Sequence, residues 1–126
     1  MVQSHQQPVK HVVLVVEDDP IVRLLAVDVI KDAGFDAIEA GDADEAVLIL
    51  ESRTDIRIVF TDVEMPGSMD GIKLAQAIRG RWPPIELILT SGHCRIRPED
   101  IPAGGRFFPK PYHPDEITQA LHQLAA

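Results

Sequence analysis

Several things are scarce in this sequence, and each scarcity removes a class of function. Cys94 is the single cysteine, so no internal disulfide can form and a reducing cytoplasm is the expected setting. No apolar stretch approaches the ~20 residues that span a bilayer. The polar segment Met1 to Lys10 also lacks the apolar run of a signal peptide, so no membrane role is expected. Basic residues are outnumbered: 12 Lys and Arg against 20 Asp and Glu give a net charge of −8 and a pI near 4.9. Nucleic-acid binding draws on basic patches that displace counterions, so no nucleic-acid partner is expected either. There is no glycine loop of the Walker or dinucleotide type. The histidines (His5, His11, His93, His113 and His122) show no metal-ligand spacing. Cys94 beside His93 has no third group to orient it as a nucleophile.

What is present is the composition of one globular domain. The chain has 126 residues, 45% apolar and 25% charged, enough for a sizeable core. Residues 1–10 read as a flexible N-terminal tail and residues 11–126 as a single domain. Strand-like and helix-like segments then alternate. His11 to Val16 is a β-branched run of the kind buried on both faces of a sheet. Asp19-Pro20 supplies an N-cap and a proline for the first turn of a helix. That helix presents Val22, Leu25, Ala26, Val29, Ile30 and Ala33 inward and stops at Gly34. A strand over Ala37 to Ala40 precedes a helix with Asp42 and Glu45 at capping-box spacing and Ala43, Ala46, Val47 and Leu50 on one face.

The next strand runs from about Arg57 to Thr61. Asp70 caps a third helix with Leu74, Ala75 and Ile78 inward, and Trp82-Pro83-Pro84 breaks it. Ile85 to Leu89 is a fourth strand. Pro98, Pro102, Gly104 and Gly105 leave room for only a short helix before a fifth strand, Arg106 to Phe108. Pro114 opens a last helix, with Ile117, Ala120, Leu121 and Leu124 inward. Strands alternating with helices predict an α/β fold: a five-stranded parallel sheet, doubly wound, with right-handed crossovers. Pro109 cannot donate to a ladder, which places the fifth strand at an edge.

In such sheets, sites form beyond the carboxyl ends of the strands. There the sequence puts Glu17-Asp18, Asp62, Thr90-Ser91 and Lys110. Adjacent carboxylates repel unless a cation or base lies between them, and hard oxygen ligands suit Mg²⁺. A carboxylate can accept a phosphoryl group if positive charge offsets the incoming anion. Asp19, by contrast, is explained by helix capping alone.

Four segments together resemble the receiver domain of two-component response regulators. They are Val13-Leu14-Val15-Val16-Glu17-Asp18, Phe60-Thr61-Asp62-Val63-Glu64-Met65-Pro66, Leu89-Thr90-Ser91-Gly92 and Phe107-Phe108-Pro109-Lys110-Pro111. The resemblance covers residues 11–124. It implies a flavodoxin-like (βα)5 fold with strand order 2-1-3-4-5, an order the spacing does not itself give. It makes Asp62 the phosphoacceptor, and Glu17, Asp18, Asp62 and the backbone carbonyl of Glu64 the ligands of Mg²⁺. Lys110 would pair with phosphoryl oxygens. Ser91, or Thr90 in the alternative register, would bind the phosphoryl group and act as a switch with Phe107. A cis bond between Lys110 and Pro111 is also implied.

The chain departs from the family pattern in four places. Glu17 stands where aspartate is usual, and Phe107 lacks the hydroxyl often found there. The loop Gly67 to Gly71 is one residue longer than the common form. The fourth helix is eroded by prolines and glycines, so the surface around it is expected to signal in an unusual way.

The expectation is a stand-alone, cytoplasmic, phosphorylation-activated switch rather than an enzyme with turnover on a separate substrate. Its phosphodonor would be a histidine kinase or histidine phosphotransfer protein, and its output an unidentified protein target or a homodimer. The alternatives are a phosphorylation-independent pseudo-receiver that only binds, and the receiver piece of a hybrid kinase. An aspartyl phosphatase ranks below these, because no segment is long enough to form a substrate-enclosing cap.

Overall fold

The computed structural model describes residues 11–92 and 96–126. The tail expected over residues 1–10, together with His93 and Cys94, lies outside them. Five parallel strands form one sheet: β1 (Val12–Val16), β2 (Asp36–Ala40), β3 (Ile56–Asp62), β4 (Glu86–Ser91) and β5 (Arg106–Pro109). Their order is β2-β1-β3-β4-β5, so the expected 2-1-3-4-5 doubly wound sheet is the one the chain adopts. All five residues of β1 are buried, which is why its sequence is continuously apolar rather than alternating. β5 is an edge strand. Pro109 pairs with Ser91 there, and the next residue supplies the missing donor: Lys110 N–H bonds Ser91 O at 2.8 Å.

Helices cover both faces. α1 (Pro20–Asp32) and α4 (Pro114–Ala125) lay Ala26, Val27, Ile30, Ile117 and Leu121 against Val13, Val15, Ile58, Phe60 and Ile88. α2 (Ala43–Ser52) and α3 (Gly71–Arg81) lay Ala46, Leu50, Leu74 and Ile78 against Leu14, Val59, Leu87 and Leu89. Alternate residues of each strand therefore feed opposite cores. Each fully buried leucine or isoleucine contributes roughly 1.5–3 kcal/mol of burial free energy.

The caps set where each helix begins. Asp19 accepts from the N–H groups of Ile21 and Val22 at 2.9 and 3.2 Å, and Pro20 occupies the first turn. Asp42 accepts from Glu45 N–H at 2.8 Å, but Glu45 closes no box with it. Its carboxylate accepts from Gly41 N–H, one residue before the cap, at 2.6 Å. Asp70 accepts from Lys73 N–H at 2.9 Å. Gly34 ends α1 with a φ of 96°, a conformation that costs glycine little.

One feature differs from the sequence reading. Leu25 was expected inward but is 59% exposed, and Val27 takes the inward place at 4%. The buried stripe of α1 runs through Ala26, Val27 and Ile30, which pack in one cluster with Ile117, Ala120 and Leu121 of α4. Ile21, Leu24 and Leu25 therefore form an exposed apolar face. The fourth crossover carries a single 3-10 turn, Pro98–Asp100, as the prolines and glycines around it require. Among the described residues no helix is long and apolar enough to cross a membrane.

Candidate functional site

Strand register gathers the polar residues. β3 and β4 align Asp62 with Thr90, and β1 and β3 align Val16 with Thr61. Glu17 and Asp18 thus leave the sheet beside Asp62. The Val63 N–H bonds Thr90 O at 2.8 Å and fixes the turn out of β3. The strands are longer than the sequence suggested: Asp62 and Ser91 are their last residues rather than the first residues of loops. That gives both side chains the rigidity of the sheet.

One carboxylate oxygen each from Glu17, Asp18 and Asp62 lie within 4.8 Å of one another. Asp18 is exposed, whereas Glu17 and Asp62 are 6% and 5% exposed. Lys110 reaches in from the end of β5. Its Nζ stands 3.0 Å from Asp62 Oδ1 and 3.4 Å from Glu17 Oε1. The peptide bond between Lys110 and Pro111 is cis.

Burial pushes the Asp62 carboxyl above its ordinary range; the Lys110 ammonium opposes the shift, and the charges of Glu64 and Asp18 add to it. Burial also raises Glu17. There the Asp19 N–H, 3.1 Å from Oε2, and Lys110 pull down, while Asp62 pushes up. For Lys110 burial favours the neutral amine, but Asp62 and Glu17 outweigh it and its pKa rises. One ammonium faces several carboxylates, so the site carries an excess of negative charge.

That excess fits a divalent cation. Among the described residues no donor is aligned to hydrogen-bond the buried Asp62 Oδ1, although the Lys110 ammonium stands beside it. Clustered oxygen donors, one of them open to solvent at Asp18, match the hard and partly hydrated coordination of Mg²⁺.

Beyond this cluster, the Ser91 hydroxyl donates to Glu64 Oε2, and the Gly92 N–H donates to Glu64 Oε1 at 3.0 Å. Ser91 and Thr90 are both buried, and Phe107 is half-buried against the core under α2 and α3. The Thr61 hydroxyl bonds Asp62 O at 2.9 Å. Sequence reasoning gave Glu64 only a backbone role and missed its side chain. The available signal was a carboxylate two residues past Asp62, facing the Thr90-Ser91 edge. It also missed Gly71, whose N–H bonds Val63 O at 2.9 Å. A Cβ there would run into the backbone oxygen of Asp62 and come within 2.8 Å of Val63 Cα.

Residues 13–122 match the family model of the response regulator receiver domain. The chain belongs to that family. The receiver is 31% identical over 112 residues to the nitrogen assimilation regulatory protein NtrX of Azorhizobium caulinodans, a match covering 86% of this chain and 24% of NtrX. It is 32% identical over 116 residues to the sensor kinase CckA of Brucella abortus, covering 89% of this chain and 12% of the kinase. The crystal structure of a receiver domain from the hybrid histidine kinase CckA superposes with a TM-score of 0.77 at 29% identity, covering 91% of this chain and 99% of that domain. The receiver thus spans under a quarter of the length of these curated relatives. Receivers are signalling switches rather than turnover enzymes, and they take phosphoryl groups from histidine kinases or phosphotransfer proteins.

Proposed function

We propose that residues 11–126 form one receiver unit that accepts a phosphoryl group on Asp62. The observation that carries this is the placement of Lys110 Nζ 3.0 Å from a buried Asp62 oxygen, with Glu17 and Asp18 carboxylates in the same cluster. An Asp62 oxygen attacks phosphorus in line, the bond from phosphorus to the donor breaks, and the leaving imidazole takes up a proton from solvent. Transfer of this kind is mainly positioning and charge stabilisation. Lys110 meets the charge that grows on the phosphoryl oxygens, and the Ser91 hydroxyl and Gly92 N–H are the neutral donors at the same edge. Mg²⁺, held by Glu17, Asp18, Asp62 and the Glu64 carbonyl, would supply the remaining positive charge.

The donor is a histidine kinase or histidine phosphotransfer protein. The exposed Ile21, Leu24 and Leu25, on the helix that follows Glu17 and Asp18, support a protein partner beside the site. Of the relatives described above, one is named a regulatory protein and the other a sensor kinase, and a phosphoryl-accepting Asp62 would suit either setting. A cytoplasmic location follows from such a donor.

The test is intact mass after incubation with Mg²⁺ and acetyl phosphate, wild type beside Asp62→Asn. One phosphoryl group on the wild type and none on the variant is expected. A wild type that binds Mg²⁺ but gains no mass from acetyl phosphate or from a phosphorylated histidine donor would favour a binding module. Turnover of small phosphate esters would favour a phosphatase.

A further inference from the structure

The Glu64 side chain holds the two neutral donors that the proposed reaction needs. Ser91 Oγ–H and Gly92 N–H each bond a different oxygen of one carboxylate. Both donors follow Thr90, the residue in register with Asp62. A carboxylate and a phosphoryl group make the same demand on such donors: anionic oxygens that accept short, charge-assisted hydrogen bonds. We propose that Glu64 is an internal stand-in for the phosphoryl group, which must displace it from Ser91 and Gly92 when Asp62 is phosphorylated.

This rests on the reading of Asp62 as acceptor and deepens it. Glu64 then acts through Ser91 and Gly92 as a positioning residue. In the resting state its carboxylate accepts a charge-assisted hydrogen bond from the buried Ser91 hydroxyl. In the phosphorylated state the new group brings close to two negative charges to the same donors. One carboxylate cannot share them with it. The route out is short, because Glu64 is only half-buried and leads into the exposed Pro66-Gly67 turn, where Gly67 has a φ of 110°. Residence of Glu64 on these donors therefore opposes phosphorylation, and its departure reports it.

Plain repulsion between Glu64 and an anionic donor also predicts slower phosphorylation, so the experiment separates contact from charge. Glu64→Ala removes both, and Glu64→Asp keeps the charge but shortens the reach by a methylene. Both leave the backbone carbonyl in place. In metal-free protein, the Gly92 amide proton shift reports whether the contact persists. The rate of phosphorylation by phosphoramidate with Mg²⁺ is then measured on the same three proteins.

The Gly92 amide is expected to move upfield in both variants. Phosphorylation should rise by about tenfold or more in both, because the resting state loses its two charge-assisted hydrogen bonds to Glu64. Acceleration in Glu64→Ala alone, with the Gly92 amide shifted in both, would overturn the proposal in favour of repulsion. Unchanged rates in both variants would also overturn it. A wild type that takes up no phosphoryl group from phosphoramidate or from a phosphorylated histidine donor would instead overturn the reading of Asp62, and an altered Gly92 shift in the variants would still show the resting contact to be real.

Discussion

Lys110 Nζ lies between two buried carboxylates, 3.0 Å from Asp62 Oδ1 and 3.4 Å from Glu17 Oε1. This one ammonium lowers the cost of holding the two acids together, and in the proposed reaction it would stand where negative charge grows during transfer. Glu17 is a methylene longer than the usual aspartate, and its Oε2 is tied to the Asp19 N–H while Oε1 faces Lys110. The longer side chain is thereby accommodated without leaving the cluster.

Replacing Lys110 with methionine keeps much of the stem and removes the charge. Phosphorylation from a small phosphodonor should then slow by roughly 10²–10³-fold, the usual cost of losing one preorganised charge-stabilising donor. Single-turnover rates measured by intact mass would show it.

The raised carboxyl groups give a pH dependence of defined sign. Asp62 and Glu17 hold protons more tightly folded than unfolded, so the fold binds more protons than the unfolded chain. Stability from this source is full below the unfolded values, about 3.9–4.3, and is lost as pH rises through the folded ones. With chelator present, Asp62→Asn should melt higher than wild type near neutral pH, and the gap should close toward acid. Added Mg²⁺ should reverse the order at neutral pH by favouring the ionised acids. Thermal melts across a pH series would test both signs.

Neighbouring acids should separate cleanly. Asp19→Ala loses the cap of α1 and should cost about 1 kcal/mol in urea unfolding, with little effect on Mg²⁺ affinity. Asp18→Ala should do the reverse, since its exposed carboxylate belongs to the cation cluster and not to the cap. Magnesium titrations paired with unfolding curves would read both.

Much of this was legible in the residues. The uniformly apolar β1, the caps at Asp19, Asp42 and Asp70, and the edge strand implied by Pro109 come from local rules of residue type and spacing. Asp62, Asp18 and Lys110 stood out because strand ends in a parallel sheet converge. Leu25 was misplaced because helical periodicity fixes a stripe only to within a residue, and packing against α4 chose Val27 instead. The Glu64 side chain was missed because its partners lie 27 and 28 residues away, and only the β3–β4 register brings them near. Gly71 was missed for a related reason: its constraint is the closeness of Asp62 across the α3 loop, which spacing does not encode.

Gly71→Ala should therefore act on both fold and site. The added methyl must push against the backbone of Asp62 and Val63. We expect roughly 1–3 kcal/mol of destabilisation, the range for overpacking a close contact, together with slower phosphorylation in the fraction that remains folded. Urea unfolding and the acetyl phosphate assay on one preparation would test the pairing.

The central claim is that Asp62 carries the phosphoryl group, and chemical trapping tests it most directly. The receiver is phosphorylated with acetyl phosphate and Mg²⁺, reduced with borohydride and mapped by peptide mass spectrometry. The account predicts conversion to homoserine at residue 62 alone, abolished when Mg²⁺ is chelated. Conversion at Glu17 or Asp18, or a phosphoryl group on Ser91 that borohydride leaves untouched, would contradict it.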